Sequence, residues 1–382
     1  MYENIVIGSG FAGAVVAREL AEKKGESVLV IDARGHIGGN CYDEKDEYGI
    51  LVHRYGPHIF HTNIKRVYEY LSRFTEWYEY QHEVVGNIYG EEIPIPFNLH
   101  SLEQVFKDRA PGLKERLIET FGEGARVPIL KLRESEDEEL REIAEYVYEN
   151  IFLKYTMKQW GQKPEEIDPS VSGRVPVLIS YDDRYFQDEF QGMPQDGYTA
   201  IFENMLDYPG VEIRLDCPAS QVLKLMPDET EKVWFEGKPY HGRIIFTGAL
   251  DELFDCRFGR LPYRSLSFEL EHVKKSFYQS HGVVNYTVSE NYTRITEYKY
   301  LTGQLDLPQT TIMKEYPKPY HGAEGEIPYY AINNIKNEAL YERYRALVEA
   351  IPGFYVIGRL AEYKYYNIDA IVERAICFVE SL

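Results

Sequence analysis

The sequence predicts an α/β protein: a parallel sheet flanked by helices, interrupted by a helical-bundle insertion and by an antiparallel β-sheet insertion. Three observations carry that prediction. The chain opens β-α-β around a glycine-rich turn. Two later apolar runs, Arg243–Leu250 and Phe354–Leu360, read as returns to the same sheet, and the intervening stretches change from helical to alternating periodicity.

In the opening unit, Asn4-Ile-Val-Ile7 is a short apolar strand that runs into Gly8-x-Gly10-x-x-Gly13, with a helical pattern following at once. Gly8 permits the tight turn, Gly10 lets a pyrophosphate approach the backbone, and Gly13 lets helix and strand pack closely. The helix N–H groups and the positive end of its dipole then face the phosphates. A second strand, Ser27–Ile31, ends at Asp32, where a carboxylate accepts from a ribose 2′-OH and repels a 2′-phosphate. The expected domain is therefore Rossmann-like. Gly38-Gly39-Asn40 adds a second backbone-exposing pair just past the ribose contact, which suits FAD, a longer cofactor than NAD. With a closing helix from about Ile368 to Leu382, the FAD-binding domain is expected over 1–65, 196–255 and 345–382.

The first insertion, 66–178, is expected to be helical, with Leu102, Val105 and Phe106, and then Leu140, Ile143, Ala144, Val147 and Ile151, at 3.6-type spacing. The acidic run Arg133–Glu139 reads as a solvated helix face or a helix N-terminus. Prolines, serines and a glycine make 161–177 a mobile loop. The second insertion, 179–195 plus 256–344, alternates like antiparallel strands at Ser265–Glu269, Gly282–Thr287 and Thr293–Tyr298.

A formal charge of −20 over 382 residues argues against nucleic acid and against docking on anionic lipid. An anionic substrate then requires arginines concentrated locally against the overall field. Four scattered cysteines lack metal or redox spacing and read as reduced intracellular thiols. With no signal peptide ahead of the first strand, and no run near the ~18 apolar residues of a membrane span, a cytoplasmic protein is expected.

Several residues stand out as candidates. Arg174, bounded by Gly173 and Pro176, is either an arm that swings onto an anion or an exposed solubilising residue. Tyr155 and Trp160 belong either to the core or to a platform that stacks a base. Arg294, in a strand pattern, is either a second anion clamp or solvent-facing, and two arginines from separate subdomains neutralise a diphosphate. Asn367 or Asp369 can cap the last helix, whose N-terminus would suit the anionic end of a reduced flavin. His58 and His61 have no third ligand at suitable spacing, so no metal is expected.

Taken together, Gly8–Gly13, His36–Asn40, Tyr55–Thr62, Lys154–Trp160, Arg174–Val177, Tyr181–Phe186, Gly197–Ala200, Tyr292–Arg294, Pro328–Tyr330 and Gly358–Leu360 resemble the UDP-galactopyranose mutase family over nearly the whole chain, in family order. The resemblance implies FAD, active when reduced, bound by Gly8, Gly10, Phe11, Gly13, Asp32, Gly39, Asn40, His58, Arg359, Asn367 and Ile368. It puts uridine against Phe152, Tyr155 and Trp160, with Thr156 and Asn285 nearby, and the diphosphate on Arg174 and Arg294. Tyr185, Tyr330 and Tyr365 add hydroxyl donors, and His58 and His61 line the flavin face and join the two arginines as the catalytic set. The implied reaction interconverts UDP-galactopyranose and UDP-galactofuranose by covalent catalysis through N5 of reduced FAD without net redox change, feeding cell-surface polysaccharide. Implied partners are NAD(P)H or a reductase as electron source and a second copy of the chain in a homodimer. Asn367 stands where many members carry Asp, which puts a role needing negative charge there in doubt, and Ala331 replaces a frequent Pro. Flavin oxidases and desaturases share the N-terminal fingerprint, and GDP-dissociation inhibitors use a related fold without flavin.

Overall fold

The computed structural model describes residues 2–161, 176–226 and 229–382. The chain forms two compact units, Met1–Glu79 with Asp188–Tyr263 and Tyr330–Leu382, and Tyr80–Gln187 with Arg264–Tyr329. This differs from the three domains expected from the sequence. The helices and the antiparallel strands share one unit, while 66–79, 188–195 and 330–344 belong with the dinucleotide-binding portion.

The first unit is built on a five-stranded parallel sheet in the order Val211–Arg214, Val28–Ile31, Asn4–Ile7, Arg243–Phe246, Phe354–Val356. Asn4–Ile7 (β1) and Val28–Ile31 (β2) are buried at every residue, as strands covered on both faces must be. The strand order reverses beside β1, and in such sheets the crevice at the carboxyl ends of the strands is where ligands bind. Helix α1, Phe11–Lys24, leaves that end of β1 and stops at Gly25, a left-handed residue (φ +68°), after Lys23 and Lys24, which suit the negative end of its dipole. It packs against the C-terminal helix Ile368–Ser381.

In the second unit the strands Tyr263–Val273, Thr310–Pro319, Arg294–Glu297, Val283–Tyr286, Val84–Ile88 and Glu91–Ile95 lie side by side in that order. Neighbours are antiparallel except Val84–Ile88 and Val283–Tyr286, which run parallel. The segment 66–178, expected to be helical with a loop, also contributes two strands, joined by the left-handed pair Tyr89-Gly90, which extend the sheet. Helices Leu99–Phe106, Ala110–Phe121 and Glu138–Val147 bury Leu102, Leu113, Leu117, Leu140, Ile143 and Val147 in one core with Val84 and Ile93. The acidic run forms the N-terminus of Glu138–Val147, where the Asp137 carboxylate accepts from the N–H groups of Glu139 and Leu140. A π-helical stretch, Tyr148–Leu153, then leads into the helix Lys154–Trp160. Among the described residues no helix is long and apolar enough to cross a membrane.

Candidate functional site

The three fingerprint glycines answer to different demands. A Cβ on Gly8 (φ +104°) would lie 2.0 Å from Thr247 Oγ1, and one on Gly13 would lie 1.9 Å from the Gly8 carbonyl oxygen. Both are glycine because the fold leaves no room. Gly10 differs: its backbone is ordinary (φ −74°), and the nearest atom to a Cβ there is Gly39 Cα, 3.7 Å away. The turn at Gly38-Gly39 is bonded to the fingerprint loop, Gly38 N donating to Ser9 O at 3.1 Å. No side chain caps α1 at Gly10. A bare-backbone cradle therefore lies at an uncapped, positive helix end, and a Cβ on Gly10 would fill it. This is the shape a pyrophosphate needs.

Asp32 is more engaged than the sequence suggests. Its Oδ2 accepts from Ser9 N at 2.8 Å and Ser9 Oγ at 2.6 Å, and its Oδ1 from Arg34 N at 2.9 Å. A carboxylate has about four acceptor positions, so one remains for a ribose hydroxyl. Arg34, absent from the sequence-based candidates, donates from Nη2 to Asn40 Oδ1 at 2.9 Å, and its guanidinium lies 4.4 Å from the Tyr55 ring centre. Its Nη1 is buried without a hydrogen-bond partner. A buried cationic donor left so is costly, which marks it for a ligand acceptor. The signal was an arginine two positions past the acidic strand end.

In the same unit His58 N donates to His53 Nδ1 at 3.1 Å, and His58 Nδ1 lies 2.9 Å from Gly56 O. Burial pushes both imidazoles down to about 3; for His58 the neighbouring His53 and Arg359 add to it. Both are neutral near pH 7. His61 Nδ1 lies 2.9 Å from Asp188 Oδ2, and Asn63 Nδ2 steadies Asp188 at 2.7 Å; Asp188 was not among the expected residues. Thr62 Oγ1 donates to Asp369 Oδ2 at 3.0 Å, tying the strand of His61 to the first turn of the C-terminal helix. Asn367 occupies the N-cap of that helix but its side chain makes no capping bond, and Ile368 opens the first turn. Capping by Asn367, allowed by the sequence, does not occur; Asp369, the other candidate, instead accepts from Ala370 N at 2.7 Å and places a carboxylate in the first turn of that helix. The Phe11 side chain packs against Tyr198 and Phe202, so its backbone N–H is what it can offer a cofactor. Arg359 donates to Tyr366 O at 2.5 Å and lies over the Tyr365 ring, which stacks 6.1 Å from Tyr330.

The second unit gathers the other candidates. Arg294 Nη2 donates to the Tyr155 hydroxyl at 2.8 Å, and Nε lies 3.2 Å from Glu315 Oε1. Glu315, 3% exposed, also accepts from Thr293 Oγ1 at 3.0 Å. It faces Arg294 by strand register and was missed because it comes from the next strand. Asn285 is paired with Arg294 across the other neighbouring strand, and its buried Oδ1 has no hydrogen-bond partner. Phe152, Tyr155 and Thr156 share one helical face by spacing, with Phe152 and Thr156 buried. Burial pushes the Tyr155 hydroxyl up despite the opposing Arg294 charge, so it stays protonated and keeps a proton to donate while accepting from Arg294. Tyr185 meets His82 edge-on at 5.7 Å, and His82 Nδ1 lies 3.1 Å from the Tyr80 hydroxyl, a histidine the sequence did not single out. Arg174 and the Trp160 side chain lie outside the described residues.

A dinucleotide cradle at the switch point of a parallel sheet, in a chain that also sets a half-buried arginine and tyrosine against a buried carboxylate, defines a dinucleotide-dependent enzyme. The model of the UDP-galactopyranose mutase family matches residues 150–365, and that of the NAD(P)-binding Rossmann-like domain matches residues 6–74. The chain is 36% identical to dTDP-fucopyranose mutase of Escherichia coli, over 98% of this chain and 97% of that protein. It is 36% identical to a probable UDP-galactopyranose mutase of Klebsiella pneumoniae (97% and 92% covered) and 34% identical to UDP-galactopyranose mutase of Mycoplasma pneumoniae (100% and 96% covered). A crystal structure of reduced UDP-galactopyranose mutase shares the fold with TM-score 0.72 at 15% identity, covering 100% of this chain and 93% of that one. A putative protoporphyrinogen oxidase from Exiguobacterium also shares it, with TM-score 0.62 at 12% identity over 99% and 98% of the chains. The chain belongs to the UDP-galactopyranose mutase family, and it is an FAD-dependent isomerase.

Proposed function

We propose that this protein interconverts UDP-galactopyranose and UDP-galactofuranose with no net redox change, and that the product serves cell-surface polysaccharide. One observation carries the reading: Arg294, fixed between the buried Glu315 and the Tyr155 hydroxyl, stands opposite Asn285 in a unit whose helix offers an aromatic face. That arrangement suits a nucleoside diphosphate. Arg294 takes up charge as the diphosphate leaves the anomeric carbon, the kind of electrostatic assistance that usually dominates. Arg174 is assigned the same task from 162–175. Tyr155 and Thr156 orient the uridine, with Phe152 behind them and Trp160 completing the platform, while Tyr185, Tyr330 and Tyr365 hold sugar and phosphate oxygens. The residues of the cradle fit FAD: Gly10 leaves the space, Arg34 keeps an unused donor, and the N-terminal end of α1 is uncapped. Bound and reduced, FAD supplies a nucleophilic nitrogen, N5, toward the anomeric carbon. Neutral His58 and the Asp188-oriented His61 shape that reaction face without adding charge at His58. The electron donor is assigned to NAD(P)H or a reductase, and the working form to a homodimer.

A second reading is favoured by the Escherichia coli relative named for dTDP-fucopyranose, as similar to this chain as the Klebsiella one. The test incubates reduced protein with UDP-galactofuranose and, in parallel, with the dTDP-fucose isomers, and separates products chromatographically. Conversion of the UDP sugar with reductant required but not consumed is expected. Reductant oxidised in proportion to product overturns the mutase reading, and kcat/KM favouring the dTDP sugar replaces the substrate.

A further inference from the structure

Lys158 is turned inward on the helix Lys154–Trp160, and its ammonium is fully used. It donates to the backbone carbonyls of Tyr286, of Glu290 at 3.0 Å and of Tyr292 at 3.4 Å. A lysine has three donors and no acceptor, so the three carbonyls exhaust it. All three belong to one short stretch, the end of Val283–Tyr286 and the turn that leads into Arg294–Glu297. The strand pairing itself, Asn285 opposite Arg294, does not need the lysine. What the lysine adds is a link between the helix and the turn. The rings of Tyr286 and Tyr292 pack edge-on at 4.8 Å in the same turn.

The helix end is held from a second direction. Arg264, 8% exposed, donates from Nε to Gln159 O at 2.9 Å and from Nη2 to Lys158 O at 3.0 Å, so a guanidinium occupies the negative end of this short helix. Two cations therefore converge on one helical turn, though the chain as a whole carries −20. Burial lowers the affinity of both for protons, the expected effect of drawing a cation out of water. Such an investment in backbone carbonyls is hard to explain by stability alone, because a buried polar network contributes little over apolar packing.

We infer that Lys158 is a positioning residue, clamping the helix of Phe152, Tyr155 and Thr156 to the turn between the strands of Asn285 and Arg294, and thereby fixing the spacing between base-binding and diphosphate-binding groups. The inference rests on the nucleoside-diphosphate reading above. A ligand that touches both sets of groups depends on the clamp; a ligand that touches one does not.

The experiment uses the flavin-loaded full chain and two probes, UDP and uridine, titrated calorimetrically. In Lys158→Met, UDP is expected to bind about tenfold more weakly, the size of one lost charge-assisted contact, with uridine affinity within about threefold of wild type. Equal weakening of both probes means Lys158 only supports the fold and overturns the inference, as does unchanged binding of both. Should Lys158→Met lose its flavin, Lys158→Arg is measured in the same way, since a planar fork cannot reproduce three radial donors. Wild-type protein that binds no UDP sinks the functional reading itself, a result separate from any difference between variant and wild type.

Discussion

Replacing Gly10 with alanine separates what the cofactor demands from what the fold demands. The new methyl group finds its nearest neighbour 3.7 Å away, and φ −74°, ψ −176° is backbone that any residue adopts. The flavin-free protein should therefore lose no more than about 1 kcal/mol, mostly from exchanging glycine for alanine at a helix N-cap. The methyl group occupies the space through which phosphate oxygens reach the N–H groups of α1. Two charge-assisted hydrogen bonds, at about 1.5–3 kcal/mol each, are then lost or stretched, a fall in FAD affinity of about 10²–10⁴-fold. The assay is titration of stripped protein with FAD by quenching of flavin fluorescence, with thermal melting of the same flavin-free samples. Gly13→Ala is the contrasting control, because its methyl group would stand 1.9 Å from the Gly8 carbonyl and should prevent folding of the turn itself. Gly10→Ala protein that binds FAD within about threefold of wild type would refute the cradle, and so would a flavin-free melt as damaged as that of Gly13→Ala.

Glu315→Gln removes the buried charge beside Arg294 and is expected to lower stability by about 2–3 kcal/mol, below the usual 3–5 for a buried pair because Arg294 keeps some exposure, with UDP binding weakened in titration. Arg174→Ala should lower kcat more than tenfold, a loss above ~1.4 kcal/mol; retention of more than a tenth of the rate speaks against its role on the leaving diphosphate. Acid should destabilise the protein through His53 and His58. Their folded values, about 3, lie below the unfolded value of 6.5, so the neutral forms favour folding above 6.5 and that stability is lost as pH falls toward 3. Between pH 7 and 5.5 a buried imidazole such as His53 accounts for about 1.2 kcal/mol, and the more accessible His58 for less. Thermal melts should show it as a lower Tm at pH 5.5, with a shallower pH dependence in His53→Gln; identical slopes in variant and wild type would exclude His53 as the cause.

The parallel sheet was legible because β1, β2, Arg243–Phe246 and Phe354–Val356 are mostly apolar, the mark of strands covered on both faces. Val211–Arg214 escaped notice for the opposite reason: a four-residue edge strand with no buried residue carries no apolar run. Val84–Ile88 and Glu91–Ile95 contain Gly86, Asn87 and Pro94, which read locally as loop, and their place is set by a parallel partner from Val283–Tyr286, far along the chain. The same non-local pairing merges the helical and β-sheet insertions into one unit, which no local periodicity reveals.

The site divides along a similar line. Gly8, Gly10, Gly13 and Asp32 are bound together by sequence-local geometry, and their spacing alone signals a phosphate cradle. Arg294 was visible as a charge in a strand, but its partner Glu315 was not, because only sheet register brings that carboxylate to it. That partner changes the electrostatic argument as well. In a chain of charge −20, an arginine aimed at a diphosphate works against the overall field. Because Arg294 is already drawn from water and held by Glu315 and Tyr155, much of its desolvation and ordering occurs on folding and not on binding. With a diphosphate on Arg294, as proposed, recognition would depend on a preset hydrogen-bond geometry more than on long-range attraction. UDP affinity should accordingly fall only gently with added salt, where a site built from solvent-exposed lysines would weaken steeply.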